Sequence, residues 1–173
     1  MNRLNTKKLA VSGLMAALVM VGTMLIQVPT PTKGYIHIGD SMVYLCGIIL
    51  GPVAGGLAAG VGSLLADAFT GYAIYAPATF FIKTLDAMAV GICYNFFTSK
   101  RITWNTRIAG YLCGIIAGGT IMVAGYLAYE TFLYGFPTAV LSVAANITQA
   151  AGGAVLASPL LPALKRIDKL SKG

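Results

Sequence analysis

The sequence predicts an all-α integral membrane protein with six transmembrane helices and both termini on the cytoplasmic side, and three observations predict it. Hydrophobic residues fill 57% of the 173 positions and charged residues only 10%, against roughly 25% charged in a soluble domain. Apolar runs of membrane length, about 20 residues each, recur along the whole chain. The basic residues gather in three short clusters that flank those runs: Arg3, Lys7 and Lys8, then Lys100, Arg101 and Arg107, then Lys165, Arg166, Lys169 and Lys172. A soluble fold could not cover so much apolar surface with so few charges. The net charge of +7 is therefore a topology signal, because a nucleic-acid footprint would interleave Lys and Arg with polar surface.

The first helix is expected over 8–27. Its apolar run is too long for the core of a secretory signal peptide and leads into Val28-Pro29-Thr30-Pro31 with no small-residue cleavage pattern. The next run, 42–69, contains Gly51-Pro52 near its middle, and an internal proline removes a backbone donor and clashes with the preceding turn. Parity decides whether this run crosses once or twice. With two crossings, expected over 36–50 and 52–69, all basic residues except Lys33 and Lys83 fall on the cytoplasmic side; with one, two of the clusters would lie outside. Residues 42–50 alone rise only about 14 Å, so the second helix either starts earlier, near Tyr35, or is shielded by its neighbours.

The remaining helices are expected over 77–98, 106–134 and 136–164, making one transmembrane domain of residues 1–173. Small residues at four-residue spacing, Gly56 and Gly60, then Gly110, Gly114 and Gly118, suit close helix packing. Cys46, Cys93 and Cys113 form no CxxC pair and are odd in number, which reads as buried small hydrophobes rather than a disulfide framework.

Ionisable groups inside a membrane are costly, so each one marks a candidate site. Asp67, Lys83, Asp86 and Glu130 fall inside the expected helices. Counting 1.5 Å per residue places Asp67 and Glu130 about one turn, and Lys83 roughly 10 Å, from the outer ends of their helices; Asn146 and Gln149 lie about 15 to 20 Å from the outer start of the last. These side chains could converge on an outward chamber lined by Tyr75, Tyr126 and Tyr129, suited to a small, flat, hydrogen-bonding solute. Lys83 and Asp86, spaced i, i+3, could equally neutralise each other, and Glu130 either pairs across helices or meets a ligand. His37, the only histidine, is an ordinary loop residue or part of a lid over the chamber, while Asp40-Ser41 is expected as a helix N-cap. The sequence holds no phosphate-binding loop, HExxH or nucleophile elbow, so no enzymatic activity and no cofactor is expected.

The runs Gly39-Asp40-Ser41-Met42-Val43-Tyr44, Gly51-Pro52-Val53-Ala54-Gly55-Gly56, Gly62-Ser63, Ala66-Asp67, Tyr75-Ala76-Pro77-Ala78-Thr79 and Ile82-Lys83 together resemble the substrate-binding S components of energy-coupling factor (ECF) transporters. The resemblance implies six membrane helices in a bacterial cell membrane and a first outer loop that closes over a vitamin. It also implies a coupling transmembrane (T) subunit and two ATP-binding subunits as partners, with no nucleic acid. The family's AxxxA-type docking patch matches Ser12, Gly13, Ala16 and Ala17, with its first alanine replaced. In pattern the chain is most similar to members for hydroxymethylpyrimidine or pyridoxine, with riboflavin or folate types, or a stand-alone secondary carrier, as alternatives. The substrate-contacting set expected is Glu130, Lys83, Asp67, Asn146, Gln149, Tyr126, Tyr75 and His37, with no metal site.

Overall fold

The computed structural model describes residues 6–30 and 34–163. Arg3, the basic residues from Lys165 to Lys172, Lys33 of the expected lid, and the last residue of the expected sixth helix lie outside them. The described chain runs α1 (Thr6–Leu25), β1 (Gln27–Pro29), β2 (Tyr35–His37), α2 (Asp40–Leu50), α3 (Pro52–Phe69), α4 (Ala76–Thr98), α5 (Trp104–Tyr134) and α6 (Phe136–Ala157), closed by a 3-10 turn at Ser158–Leu160. Five of these helices are long and apolar enough to cross a membrane by length and composition. Helix α2, at 11 residues, rises about 16 Å, roughly half of a hydrocarbon core. Most of its residues, Tyr44 and Cys46 among them, are buried, so its neighbours shield it.

Local chemistry sets the boundaries. Gly51 takes φ +79°, a conformation that disfavours any side chain, and Pro52 occupies the first turn of α3, so the 42–69 run breaks there for two independent reasons. Proline also opens α4 and α6. Helix α5 starts at Trp104, ahead of the expected 106, because Thr103 and Thr106 form a reciprocal capping box: each hydroxyl accepts from the other's backbone N–H, at 3.2 and 2.9 Å. The segment expected to begin the second helix is instead a strand and turn. Gln27 to Pro29 pair antiparallel with Tyr35 to His37 in the register Gln27↔His37, Val28↔Ile36 and Pro29↔Tyr35.

Helix α4 is the hub, packed against α2, α3 and α5. The stripe Gly110, Gly114 and Gly118 lets α5 lie directly on it: a Cβ at Gly114 would sit 3.0 Å from Val90 Cα, and one at Gly118 would strike the Asp86 carboxyl. Large apolar side chains point away from the bundle, with Phe132 85%, Phe96 75% and Ile116 70% exposed. That outer surface is the one hydrocarbon would cover. The hairpin, the α3–α4 turn and the α5–α6 turn share one end of the bundle. The described basic residues Lys7, Lys8, Lys100, Arg101 and Arg107 belong to the other.

Candidate functional site

Four helices and the hairpin bring polar side chains together at the hairpin end. Helix α3 supplies Asp67 in its last turn, α4 supplies Thr79 with its N-cap residue Tyr75 one turn earlier, α5 supplies Tyr126 and Glu130, and α6 supplies Asn146 and Gln149. The spacings of three or four residues put each pair on one helical face. Thr30, Gly34, Tyr35 and His37 of the hairpin close the chamber from above. The partly open cavity is about 30 Å³, room for a water molecule or two. Seven of the eight residues expected to contact a substrate line it: His37, Asp67, Tyr75, Tyr126, Glu130, Asn146 and Gln149.

Lys83 does not line it. Its ammonium is fully buried one layer beneath, ion-paired to Asp40 on α2, beside Met122 Sδ and 5.9 Å from the Tyr126 ring centroid. The expected i, i+3 partner, Asp86, stands 3.9 Å from Lys83 Nζ, and neither of its oxygens finds a hydrogen bond among the described residues. The N-cap expectation for Asp40-Ser41 is thereby corrected: Gly39 is the cap residue, with no side-chain cap bond, and Asp40 is fully buried. A buried carboxylate gains more from an ammonium in low dielectric than from capping amides at an exposed helix end. Ser41 Oγ instead donates back to the Ile38 carbonyl. Tyr129, expected in the chamber wall, lies outside it, edge-on to Tyr75 with its hydroxyl donating to the Ile74 carbonyl.

Within the chamber most polar groups are already bonded to each other. Tyr35 Oη donates to Asp67 Oδ1 at 2.5 Å, tying the hairpin to α3. Glu130 accepts from Tyr75 Oη at 3.3 Å and from Ser142 Oγ. Thr79 Oγ1 shares a hydrogen bond with Tyr126 Oη at 3.1 Å. Gln149 joins hairpin to core: its Oε1 accepts from the His37 backbone N–H at 3.0 Å and its Nε2 donates to Asp40 Oδ2 at 2.9 Å. Two buried atoms in the lining have no hydrogen-bond partner among the described residues, Asp67 Oδ2 and Asn146 Nδ2. An unmet acceptor and donor facing one cavity are what a bound polar molecule would satisfy.

The hairpin's titratable groups are shaped by burial. Burial pushes the His37 imidazole down to about 4, with Lys83 pushing the same way and Asp40 opposing, so the ring is neutral at pH 7. The Gly39 backbone N–H donates to Nδ1 at 3.1 Å, which leaves the ring proton on Nε2. Gly39 has no room for a side chain, since a Cβ there would meet Thr23 and His37 Nδ1. Burial and the Asp67 charge together raise the Tyr35 phenol above its ordinary range, so it remains a donor.

A second concavity lies between α1 and α3 near the basic end. It is an open apolar groove of about 500 Å³ lined by Lys8, Leu9, Ser12, Gly13 and Ala16 against Val53, Ala54, Leu57, Ala58 and Val61. Three of the four expected docking residues line it; Ala17 is exposed but outside the lining. Among the described residues no group of three or more His, Cys, Asp or Glu is placed to hold a metal ion.

Tyr35, Thr79, Thr30 and Gly34 line the chamber without having been expected there. Thr79 could have been found, because it sits four residues from both Tyr75 and Lys83. The hairpin residues had no helical periodicity to mark them.

The family described as "ECF-type riboflavin transporter, S component" matches residues 3–166. A relative from Pyrococcus woesei, described as "Uncharacterized protein in gap 3'region", is 39% identical over 149 residues, 86% of this chain and 95% of the relative. A solved structure described as "Structure and mechanism of the S component of a bacterial ECF transporter" matches with a TM-score of 0.64, at 18% identity, over 97% of this chain and 99% of that one. At that identity the likeness speaks for the fold.

Proposed function

The chain belongs to the S components of ECF-type transporters, the substrate-binding membrane subunits of these systems, and we propose that its substrate is a small hydroxylated heteroaromatic vitamin or vitamin precursor. The hairpin end then faces the outside, both termini face the cytoplasm, and all six helices belong to the membrane domain. The observation that carries this reading is the convergence of Asp67, Thr79, Glu130 and Asn146, from four helices, beneath a hairpin latched by Tyr35. Hydrogen-bonding groups set among tyrosine rings suit a flat ring bearing hydroxyl groups. The single-ring compounds hydroxymethylpyrimidine and pyridoxine need the smaller expansion of a 30 Å³ cavity. Riboflavin is the second reading, favoured by the description of the matched family.

Capture requires the hairpin to lift, since the cavity is too small for any of these compounds as it stands. Tyr35 releases Asp67, the ring enters, and the hairpin returns with His37 above it. The apolar groove bearing Ser12, Gly13 and Ala16 supports docking of the T subunit on α1 and α3, with two ATP-binding subunits supplying the work. Small residues on both walls would let a partner helix approach closely, where packing rather than hydrophobicity drives association in lipid.

Equilibrium binding by the purified chain, without ATP, against a panel of pyridoxine, hydroxymethylpyrimidine, riboflavin and folate tests this. One tight ligand is expected. Folded protein that binds none of them would overturn the reading.

A further inference from the structure

We infer that Gln149 is a positioning residue for capture: it acts on the ligand through the hairpin, by tying the backbone at His37 to the buried Asp40–Lys83 ion pair, rather than by touching the ligand itself. This role rests on the capture function proposed above, in which the hairpin lifts to admit a substrate and returns over it. It takes Gln149 out of the set of residues expected to contact the substrate.

Both ends of the Gln149 amide are engaged by the protein, and the residue is 5% exposed. Lys83 is paired to Asp40 Oδ1, and Asp40 Oδ2 accepts from Gln149 Nε2 at 2.9 Å. An ionised carboxylate can only accept, so the amide must present its NH2 group to Asp40. Its Oε1 is thereby turned to the hairpin, where it accepts the His37 backbone N–H at 3.0 Å. Hydrogen bonds chained in this way strengthen one another in a low-dielectric interior. A charge buried on α4 thus fixes, through α2 and α6, a backbone group of β2.

Packing puts Gln149 where it can do this. Gly153 lies one turn further along the same face of α6, and a Cβ there would stand 2.7 Å from Asp40 Cβ, so α6 lies directly against the start of α2. The foot of the hairpin is seated on α1, since a Cβ at Gly22 would be 3.4 Å from Gly39 Cα. The Gly39 backbone N–H donates to His37 Nδ1 at 3.1 Å. His37 is therefore held by α6 on its backbone and by the entry to α2 on its ring, and a side chain that does both of these jobs through Asp40 sets where the closed hairpin rests.

Hydrogen exchange of the 27–39 amides in the purified, ligand-free full chain reads the hairpin without reference to any ligand; His37 is left aside, because its own bond is removed. Gln149→Met, similar in length and without the amide, should raise these exchange rates about 10-fold, as the loss of one buried hydrogen bond allows, with the α4 and α5 amides unchanged. Gln149→Glu keeps an acceptor for His37 but sets a second carboxylate against Asp40, and should loosen the hairpin at least as much. Asp40→Asn/Gln149→Glu keeps the charge of the cluster, restores a donor opposite the new carboxylate and should recover most of the protection. Release of whichever of pyridoxine, hydroxymethylpyrimidine and riboflavin the chain binds should quicken in Gln149→Met by the same factor as the exchange. Unchanged hairpin exchange in Gln149→Met would overturn the inference, and a fall in affinity beside it would make Gln149 a ligand contact with the capture function standing. Faster exchange across α4 and α5 as well, or a double variant no better protected than Gln149→Glu, would also overturn it. A chain that shows the local increase but binds none of the three compounds would keep the anchor and overturn the capture function.

Discussion

Removing the Lys83 ammonium should cost this fold more than removing either acidic neighbour, because the three buried charges are not equivalent. Lys83 is ion-paired to Asp40 and stands 3.9 Å from Asp86, with all three side chains fully buried. Lys83→Met leaves two carboxyls in the bundle interior without a counter-charge, and breaking a buried pair in this way costs about 3 to 5 kcal/mol. For a chain of this size each kcal/mol moves Tm by about 2 to 4 °C, so a fall of about 6 to 20 °C is expected. Asp40→Asn leaves Lys83 with Asp86 and keeps an acceptor for Gln149, so about 1 to 3 kcal/mol is expected. Asp86→Asn, whose oxygens make no hydrogen bond among the described residues, should change stability by less than about 1 kcal/mol. Thermal unfolding of the three variants in detergent gives the order directly. Ligand affinity of the folded fraction should change little in Lys83→Met, since that side chain is outside the chamber lining. A Lys83→Met protein no less stable than Asp86→Asn, or one that keeps its Tm and loses its ligand, would refute the reasoning.

Three further outcomes are expected. Tyr35→Phe removes the latch to Asp67 and should speed ligand release about 10-fold, since one hydrogen bond to a charged group contributes about 1.5 kcal/mol; stopped-flow dissociation at an unchanged rate would discount the latch. Gly114→Leu places side-chain atoms where Val90 Cα already stands 3.0 Å from a bare Cβ, and overpacking of about 1 to 3 kcal/mol should appear in Tm; an unshifted Tm would mean that α4 and α5 are less tightly apposed than described. His37 is held near 4 in the closed hairpin against 6.5 when free, so an opened hairpin takes up a proton that the closed one excludes. The stability of closure, complete above pH 6.5, is therefore lost as pH falls towards 4, by at most about 3 kcal/mol at 1.36 per pH unit. Hydrogen exchange of the 27–39 amides at pH 7 and pH 5, compared with a His37→Gln variant, measures this, and a His37→Gln protein with the same pH response would exclude His37 as its source.

What could be read from the sequence was what local chemistry writes into neighbouring residues. Gly51-Pro52 broke the long run where parity required it, and Glu130, Asn146 and Gln149 stood out because polar side chains in apolar helices have few purposes. Chamber membership was legible for the helices, since helical periodicity fixes which residues share a face. It was not legible for the hairpin: strands of three residues carry no period to detect, and Tyr35 meets Asp67 only through the fold. The surroundings of Lys83 were legible only in part for the same reason. Its i, i+3 neighbour Asp86 does stand within ion-pair distance, at 3.9 Å, whereas the closer partner Asp40 is 43 residues distant in sequence and looked like a helix cap. That Asn146 Nδ2 and Asp67 Oδ2 find no hydrogen-bond partner among the described residues is visible only in three dimensions.

The most direct measurement is mass spectrometry of small molecules released from the chain after gentle purification from its native membrane. A single hydroxylated heteroaromatic compound, near one equivalent and depleted in Glu130→Gln, is the expected result. A lipid in its place, or no stoichiometric small molecule from folded protein, would contradict the account of the chamber.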